Sequence, residues 1–250
     1  MASAQELWRA VRREAEAVAA GDPVLAPSLA RSILDHGGLG SAVARQIGQR
    51  LGAHDDDCAR FERVANEAFV STPELVEAAC LDLQSIVRHD PAVTALLPPL
   101  LNFKGYVALQ AWRVSNWLWG RGRTDFALMM QSASSERLQV SIHPSAAIGT
   151  SVFLDHATGI IIGALSAISD EVTIMQNVTI GRKPDNPAQA PRVGRGVLLS
   201  SGSSVIGDIA IGDFARIGAG AVVTGDVPAG CTAVGVPARL TNCPEGAIPA

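Results

Sequence analysis

Between residues 142 and 223 a branched aliphatic side chain returns every sixth position. From Val193 the beat runs through Leu199, Val205, Ile211, Ile217 and Val223. Two earlier runs keep the same step in other phases: Ile142, Ile148, Leu154, Ile160, and then Ile162, Ile168, Ile174, Ile180. Small residues fill the gaps, and Gly follows the aliphatic at positions such as Gly149, Gly181 and Gly218. A period of six fits neither a helix nor an alternating strand; it is the period of a hexapeptide β-helix. Each unit predicts one short strand and a tight corner, with three units to a coil and one aliphatic per unit on the axis. Such a stack has no deep pocket of its own, so chemistry is expected in a groove against a second copy or on an inserted loop. Two segments break the beat: the corner Asp155-His156-Ala157-Thr158-Gly159 and an insertion at 182–192 with Pro184, Pro187 and Pro191.

The pattern before residue 139 is helical. Leu7, Trp8, Val11, Ala15 and Val18 form a stripe that stops at Gly21-Asp22-Pro23. Further helices are expected over 27–36, 41–51, about 57–69, 73–87, about 102–121 and 125–136. Ser71, Pro73 and Glu74 read as a capped start. Asp90-Pro91 reads as the opening of a short helix that Pro98-Pro99 breaks. The 102–121 helix holds Tyr106, Trp112, Trp117 and Trp119, and aromatics so concentrated are expected to serve packing or an oligomer interface. The fold class expected is therefore α+β. It comprises a helical domain over 1–138, a parallel β-helix over 139–240 and a tail over 241–250.

Composition narrows the function. Aromatics make up only 4% of a chain that is 48% hydrophobic, which suits a solenoid of Val, Ile and Ala. A net charge of −4 without a basic cluster argues against nucleic acid. No apolar run is long enough for a membrane span, and the charged first turns (Glu6, Arg9, Arg12, Arg13) lack an apolar signal core. Cys58, Cys80, Cys231 and Cys243 have no CxxC spacing and are expected to be ordinary thiols in a reducing cytoplasm. A zinc site on the prism would need three His ligands, and the repeat offers only His143 and His156.

Four motifs carry a resemblance: Ile142-His143-Pro144, the Asp155–Gly159 corner, Gly218-Ala219-Gly220 and Gly235-Val236-Pro237-Ala238-Arg239. With Glu6-Leu7-Trp8, the 38–42 stretch, Asp90-Pro91-Ala92-Val93 and Leu109-Gln110-Ala111, they make nearly the whole chain resemble the serine acetyltransferase family. The resemblance implies a left-handed parallel β-helix that trimerises, with helical domains pairing trimers into a hexamer. It also implies acetyl transfer from acetyl-CoA to an amino-acid hydroxyl. An alcohol attacking a thioester must lose its proton, so a base near neutral pKa is wanted. His156, one His beside Asp155 on an irregular corner, is the candidate, and in the family the equivalent His is that base. Asp90 and Asp155 match positions that hold the amino group of serine. His143 reads as structural. CoA is expected along a groove between two prisms, near Gly181, Ser201, Ser203, Ala219 and Ala221, with Arg216 and Arg239 meeting phosphates. Without a Cys or Ser beside His156, transfer is expected to be direct, in a ternary complex.

The departures from the family pattern concern the acceptor. Ser141 stands where the family has an aspartate that polarises the catalytic His. Gln189 and Ala190 stand where it has an Arg-His pair that holds the serine carboxylate; Arg182, Lys183 and Arg192 are candidate substitutes, but nothing in the sequence aims them. The chain ends in Ala247-Ile248-Pro249-Ala250 instead of the isoleucine that enters the sulfhydrylase partner, so a cysteine-synthase complex is doubtful. These changes point to serine held differently or to a serine-like acceptor. The alternative is a retired paralogue that binds CoA or serves as a scaffold without turnover.

Overall fold

The computed structural model describes residues 3–183 and 189–246. Eight α-helices come first: α1 Ala4–Gly21, α2 Ala26–Leu29, α3 Leu39–Leu51, α4 Asp55–Ser71, α5 Pro73–His89, α6 Leu97–Asn102, α7 Lys104–Trp119 and α8 Thr124–Leu138. A capping box, with the Ser3 side chain accepting from the Glu6 amide and Glu6 answering at the Ser3 amide, starts α1. The stretch expected as one helix over 27–36 is α2 continued by a π-helical turn, Ala30–Leu34. No side chain caps α5; its N-cap is Thr72, whose hydroxyl instead accepts from Trp117 Nε1 at 3.0 Å. No helix opens at Asp90-Pro91, because α5 runs to His89 and Asp90 is its C-cap. Pro98 and Pro99 start α6 instead of breaking a helix, since the first helical positions need no amide donor. Helix α7 is buried on nearly every side from Gly105 to Leu118, as befits the central helix of the domain. Its Tyr106, Trp112 and Trp117 are all buried within this one chain, so they pack the core.

The repeat folds as the period requires. Three sheets, parallel throughout except for the final β14–β15 pair, form the walls of a prism. The first holds β1 Val140–Ile142, β4 Ile160–Ile162, β7 Thr179–Gly181, β10 Ser204–Ile206 and β13 Val222–Val223. The second holds β2 Ala147–Ile148, β5 Ala167–Ile168, β8 Arg192–Val193 and β11 Ala210–Ile211. The third holds β3 Phe153–Leu154, β6 Thr173–Ile174, β9 Leu198–Leu199, β12 Arg216–Ile217, β14 Thr232–Val234 and β15 Arg239–Thr241. The sixth-position aliphatics stack in register and, apart from the half-buried Ile148, are buried on the axis.

Register explains the phase changes. Val205 pairs with Val223, eighteen residues on, which is three hexads. Ile142 pairs with Ile162, twenty residues on, because the Asp155–Gly159 corner adds two. Ile180 pairs with Val205, twenty-five residues on, because the insertion lies between them. Part of that insertion, 184–188, lies outside the described residues, as do 247–250 at the chain's end.

Helices and prism join through a buried ion pair. Asp82 of α5 is fully buried and accepts from Arg113 Nε and Nη2 at 2.9 and 2.7 Å, from Gln110 Nε2 at 2.9 Å and from the Val152 amide at 3.1 Å. Arg113 also donates to the Gly149 carbonyl at 2.7 Å. Burial pushes the Asp82 carboxyl above its ordinary value against the opposing pull of Arg113. Beside it, Ser85 donates to the Ser151 carbonyl at 2.8 Å. Helix α5, helix α7 and the first coil are thus locked together, which fixes where α5 ends relative to the corner after β3.

One expectation about cysteines is corrected. Cys58 and Cys80 remain thiols, but Cys231 and Cys243 form a disulfide. The reason is topological. β14 and β15 make an antiparallel hairpin with Thr232 opposite Thr241, so the flanking residues meet although twelve positions separate them.

Candidate active site

The corners between the third and first sheets stack in a column. Backbone bonds mark its rungs: Gly159 N to Gln139 O, Asn177 N to Thr158 O, Gly202 N to Gln176 O and Gly220 N to Ser201 O. The higher corners turn through one left-handed residue each, at Asn177, Gly202 and Gly220. The first corner uses three, His156 (φ 54°), Ala157 (φ 63°) and Gly159 (φ 77°). For a residue with a Cβ the left-handed region costs about 1 kcal/mol or more. Two such residues in succession mark a conformation held by its surroundings, of the kind that clusters at functional sites. The lengthened corner lifts His156 out of the prism, leaving its side chain 70% exposed. Asp155, half-buried, faces it with Oδ1 3.7 Å from His156 Nε2.

The helical domain closes the other side. A cavity of about 210 Å³ is lined by Asp155 and His156 from the corner, by Asp90 at the end of α5, and by Lys104 at the start of α7. The Asp90 carboxylate accepts from the Ala92 amide at 2.9 Å, which turns the chain after α5 and anchors the side chain. Helix α7 approaches because residue 105 is Gly. A Cβ there would overlap the Leu154 carbonyl oxygen and crowd the Ala157 Cβ. Lys104 Nζ donates to Thr158 Oγ1, tying the helix start to the corner itself. The structure therefore brings Asp90, Asp155 and His156 to one cavity and adds Lys104, which sequence reasoning missed. Its signal was faint: a single Lys before a Gly at a helix start.

A second, open groove of about 460 Å³ runs over the outer face of the third sheet, from Asp155 past Thr173 and Met175 to Arg216. Arg239 lies on the same sheet, on β15, exposed, two strands beyond Arg216. Ser201 and Ala219 sit in the corner column above His156, one coil apart. Ser203 and Ala221 do not face the groove. Both are fully buried and their amides bond Ser200 and Gly218, so they fill the prism. Gly181, at the end of β7, lies on the first sheet and accepts from the Gly207 amide.

The remaining acceptor positions lie elsewhere in the single chain. Ser141, on β1, accepts from Gln131 Nε2 of α8 at 3.2 Å, and no hydrogen bond joins it to His156. Gln189, exposed, and Ala190, buried, lie within the insertion, between β7 of the first sheet and β8 of the second. His143 belongs to the corner between the same two sheets in the first coil, between β1 and β2. Its Nδ1 accepts from the Ser145 amide at 3.1 Å and its ring packs edge-on against Trp119. Burial, and then the charge of Arg182, hold its pKa below the ordinary value. No cluster able to hold a metal ion occurs among the described residues.

A hexapeptide prism with a histidine and two aspartates gathered at one lengthened corner, under a helical cap, defines an acyltransferase of the hexapeptide-repeat class. Residues 7–111 match the family described as "Serine acetyltransferase, N-terminal". The chain is 39% identical to the serine acetyltransferase of Salmonella typhimurium over 95% of its length and 88% of the relative's. It is 36% identical to that of Haemophilus influenzae over 98% and 92%. Among solved structures, a serine acetyltransferase in complex with CoA superimposes with a TM-score of 0.92 at 36% identity, covering 95% of this chain and all of that one. A soybean serine acetyltransferase complexed with serine gives 0.90 at 37% identity, over 94% and 97%. The chain belongs to the serine acetyltransferase family.

Proposed function

We propose that this protein is an acetyl-CoA-dependent O-acetyltransferase acting on the hydroxyl of L-serine or a serine-like small acceptor. The observation that carries the reading is the cavity at the first corner, where two carboxylates and an exposed imidazole converge. His156 is the general base, taking the acceptor hydroxyl proton as oxygen attacks the thioester carbonyl and giving it to the CoA sulfur as the C–S bond breaks. Asp90 and Asp155 receive the acceptor's ammonium group, and Asp155 also steadies the imidazole. Among the described residues that line this cavity there is no Cys, Ser or Thr, and in this reading the acetyl group passes directly from thioester to acceptor in a ternary complex. Acetyl-CoA lies along the third-sheet groove, with its phosphates toward Arg216 and Arg239 and its arm passing Ser201 and Ala219. The relatives crystallised with CoA and with serine support both halves of this assignment.

An imidazole 70% exposed in one chain needs cover before it can work as a base in a dry site. A second prism packed on the open groove supplies that cover. In this reading the working assembly is a homotrimer or a dimer of trimers. Ser141 in place of aspartate weakens His156, because it brings no negative charge to stabilise the imidazolium. A second reading, a CoA-binding paralogue without turnover, draws on the same residue, since the Ser141 hydroxyl is engaged by Gln131.

An acceptor panel separates the two. Release of CoA thiol is followed with L-serine, D-serine, homoserine, serinamide and N-hydroxy amino acids. Turnover with L-serine or a close analogue is expected. Silence across the panel with CoA still bound would transfer the assignment to the paralogue without turnover.

A further inference from the structure

We infer that Lys104 is a specificity-determining residue of this site, holding the carboxylate of the acceptor. The inference rests on the proposed acyl transfer to an amino-acid hydroxyl. Such an acceptor offers three handles: an ammonium, a carboxylate and the reacting hydroxyl. The cavity answers the first with Asp90 and Asp155 and the last with His156. The residues at 189 and 190, glutamine and a buried alanine, carry no charge for the second.

Lys104 does. Among the described residues that line the cavity it is the one cationic side chain apart from the histidine. It forms no ion pair with Asp90 or Asp155; its ammonium is spent on a neutral hydroxyl, Thr158 Oγ1. An ammonium has three donors, so the bond to Thr158 aims the group across the corner and leaves two donors for an anion. Its position is also fixed. Gly105 seats the first turn of α7 against Leu154 and Ala157, and the buried Arg113 and Asp82 pair holds the helix further along. Charge, reach and rigidity thus meet at one side chain, and the arrangement selects for an acceptor that carries a carboxylate next to its ammonium.

The test compares wild type with Lys104→Gln, which keeps a donor for Thr158 without charge, and Lys104→Arg, which keeps the charge. Kinetics and equilibrium binding are measured with L-serine and with serinamide, whose carboxylate is masked. One charge-assisted bond in a half-exposed pocket predicts that Lys104→Gln raises KM for L-serine about tenfold. KM for acetyl-CoA and kcat should stay within a factor of about two. The preference for L-serine over serinamide should vanish in Lys104→Gln and return in Lys104→Arg. If Lys104→Gln keeps the wild-type preference, the carboxylate is held elsewhere and the inference is overturned. Binding distinguishes this from failure of the acyl-transfer reading. If wild type turns over no acceptor, L-serine binding that is lost in Lys104→Gln still supports the contact, and L-serine binding indifferent to residue 104 overturns it.

Discussion

Replacing Asp82 by Ala strikes the joint between helices and prism. The carboxylate is fully buried and gathers four donated hydrogen bonds, from Arg113 twice, Gln110 and the Val152 amide. Its loss leaves the Arg113 guanidinium, only 6% exposed, with the Gly149 carbonyl as its remaining partner. Breaking a buried pair from one side costs about 3–5 kcal/mol, because an uncompensated charge stays behind. For a domain of this size that lowers Tm by about 6–20 °C. The perturbation has a functional side, since the same joint sets α5, and with it Asp90, against Asp155. Thermal melts of Asp82→Ala, of Arg113→Met and of an Asp82→Leu/Arg113→Met double variant form the assay. The double variant should recover most of the loss, because well-packed apolar residues replace a buried pair at little cost. A loss below about 1 kcal/mol for Asp82→Ala, or a double variant worse than either single, would refute the reasoning.

Three further outcomes follow from other parts of the fold. Gly105→Ala should destabilise the protein even though alanine is the better helix former by about 1 kcal/mol, because the new methyl meets the Leu154 carbonyl. Melting curves with kinetics on the same sample should show a lower Tm and kcat/KM down at least about tenfold. Cys243→Ser removes a cross-link of twelve-residue span, worth on the order of 3 kcal/mol. Amide exchange in the β14–β15 hairpin should accelerate by on the order of a hundredfold while α7 keeps its protection. His143, with its pKa held below the ordinary value, binds fewer protons folded than unfolded. Its contribution is complete above pH of about 6.5 and is lost as pH falls toward the folded value. Denaturant midpoints at pH 5 and 7.5 should differ less in His143→Asn than in wild type, and an equal difference would discount the histidine.

Much of the architecture is legible in the chain because it is periodic. A hexad that keeps its beat through Val193, Leu199, Val205, Ile211, Ile217 and Val223 admits one kind of coil, and those residues line the prism axis. The corner at Asp155–Gly159 announces itself by breaking that beat, and the structure explains the break as two added residues in one coil. What escaped was set by contacts distant in sequence. Nothing local pairs Cys231 with Cys243; their approach depends on the β14–β15 hairpin. Lys104 looks like any helix-start cation until Gly105 lays it against the corner. Local rules misled where two signals competed. Ser71 and Glu74 resemble a capping box, yet the Thr72 hydroxyl between them accepts from Trp117, whereas the true box is at Ser3 and Glu6. Pro98-Pro99 reads equally as a stop or a start, and the structure makes it a start. Ser203 and Ala221, groove candidates by size, are buried at their corners within the single chain.

The account's central claim is that the His156 corner removes the acceptor's proton while acetyl passes directly to it. The measurement that reaches it most directly is CoA thiol release from acetyl-CoA and L-serine by wild type and by His156→Ala. Circular dichroism and CoA binding of the same samples show that fold and groove are intact. Intact-protein mass spectrometry, after acetyl-CoA alone, looks for an acetylated chain. The account predicts a loss of about 10²–10⁴ in kcat for His156→Ala, with CoA affinity retained and no acetylated protein in either sample. Full activity in His156→Ala, or an acetyl-enzyme whose decay matches turnover, would contradict it.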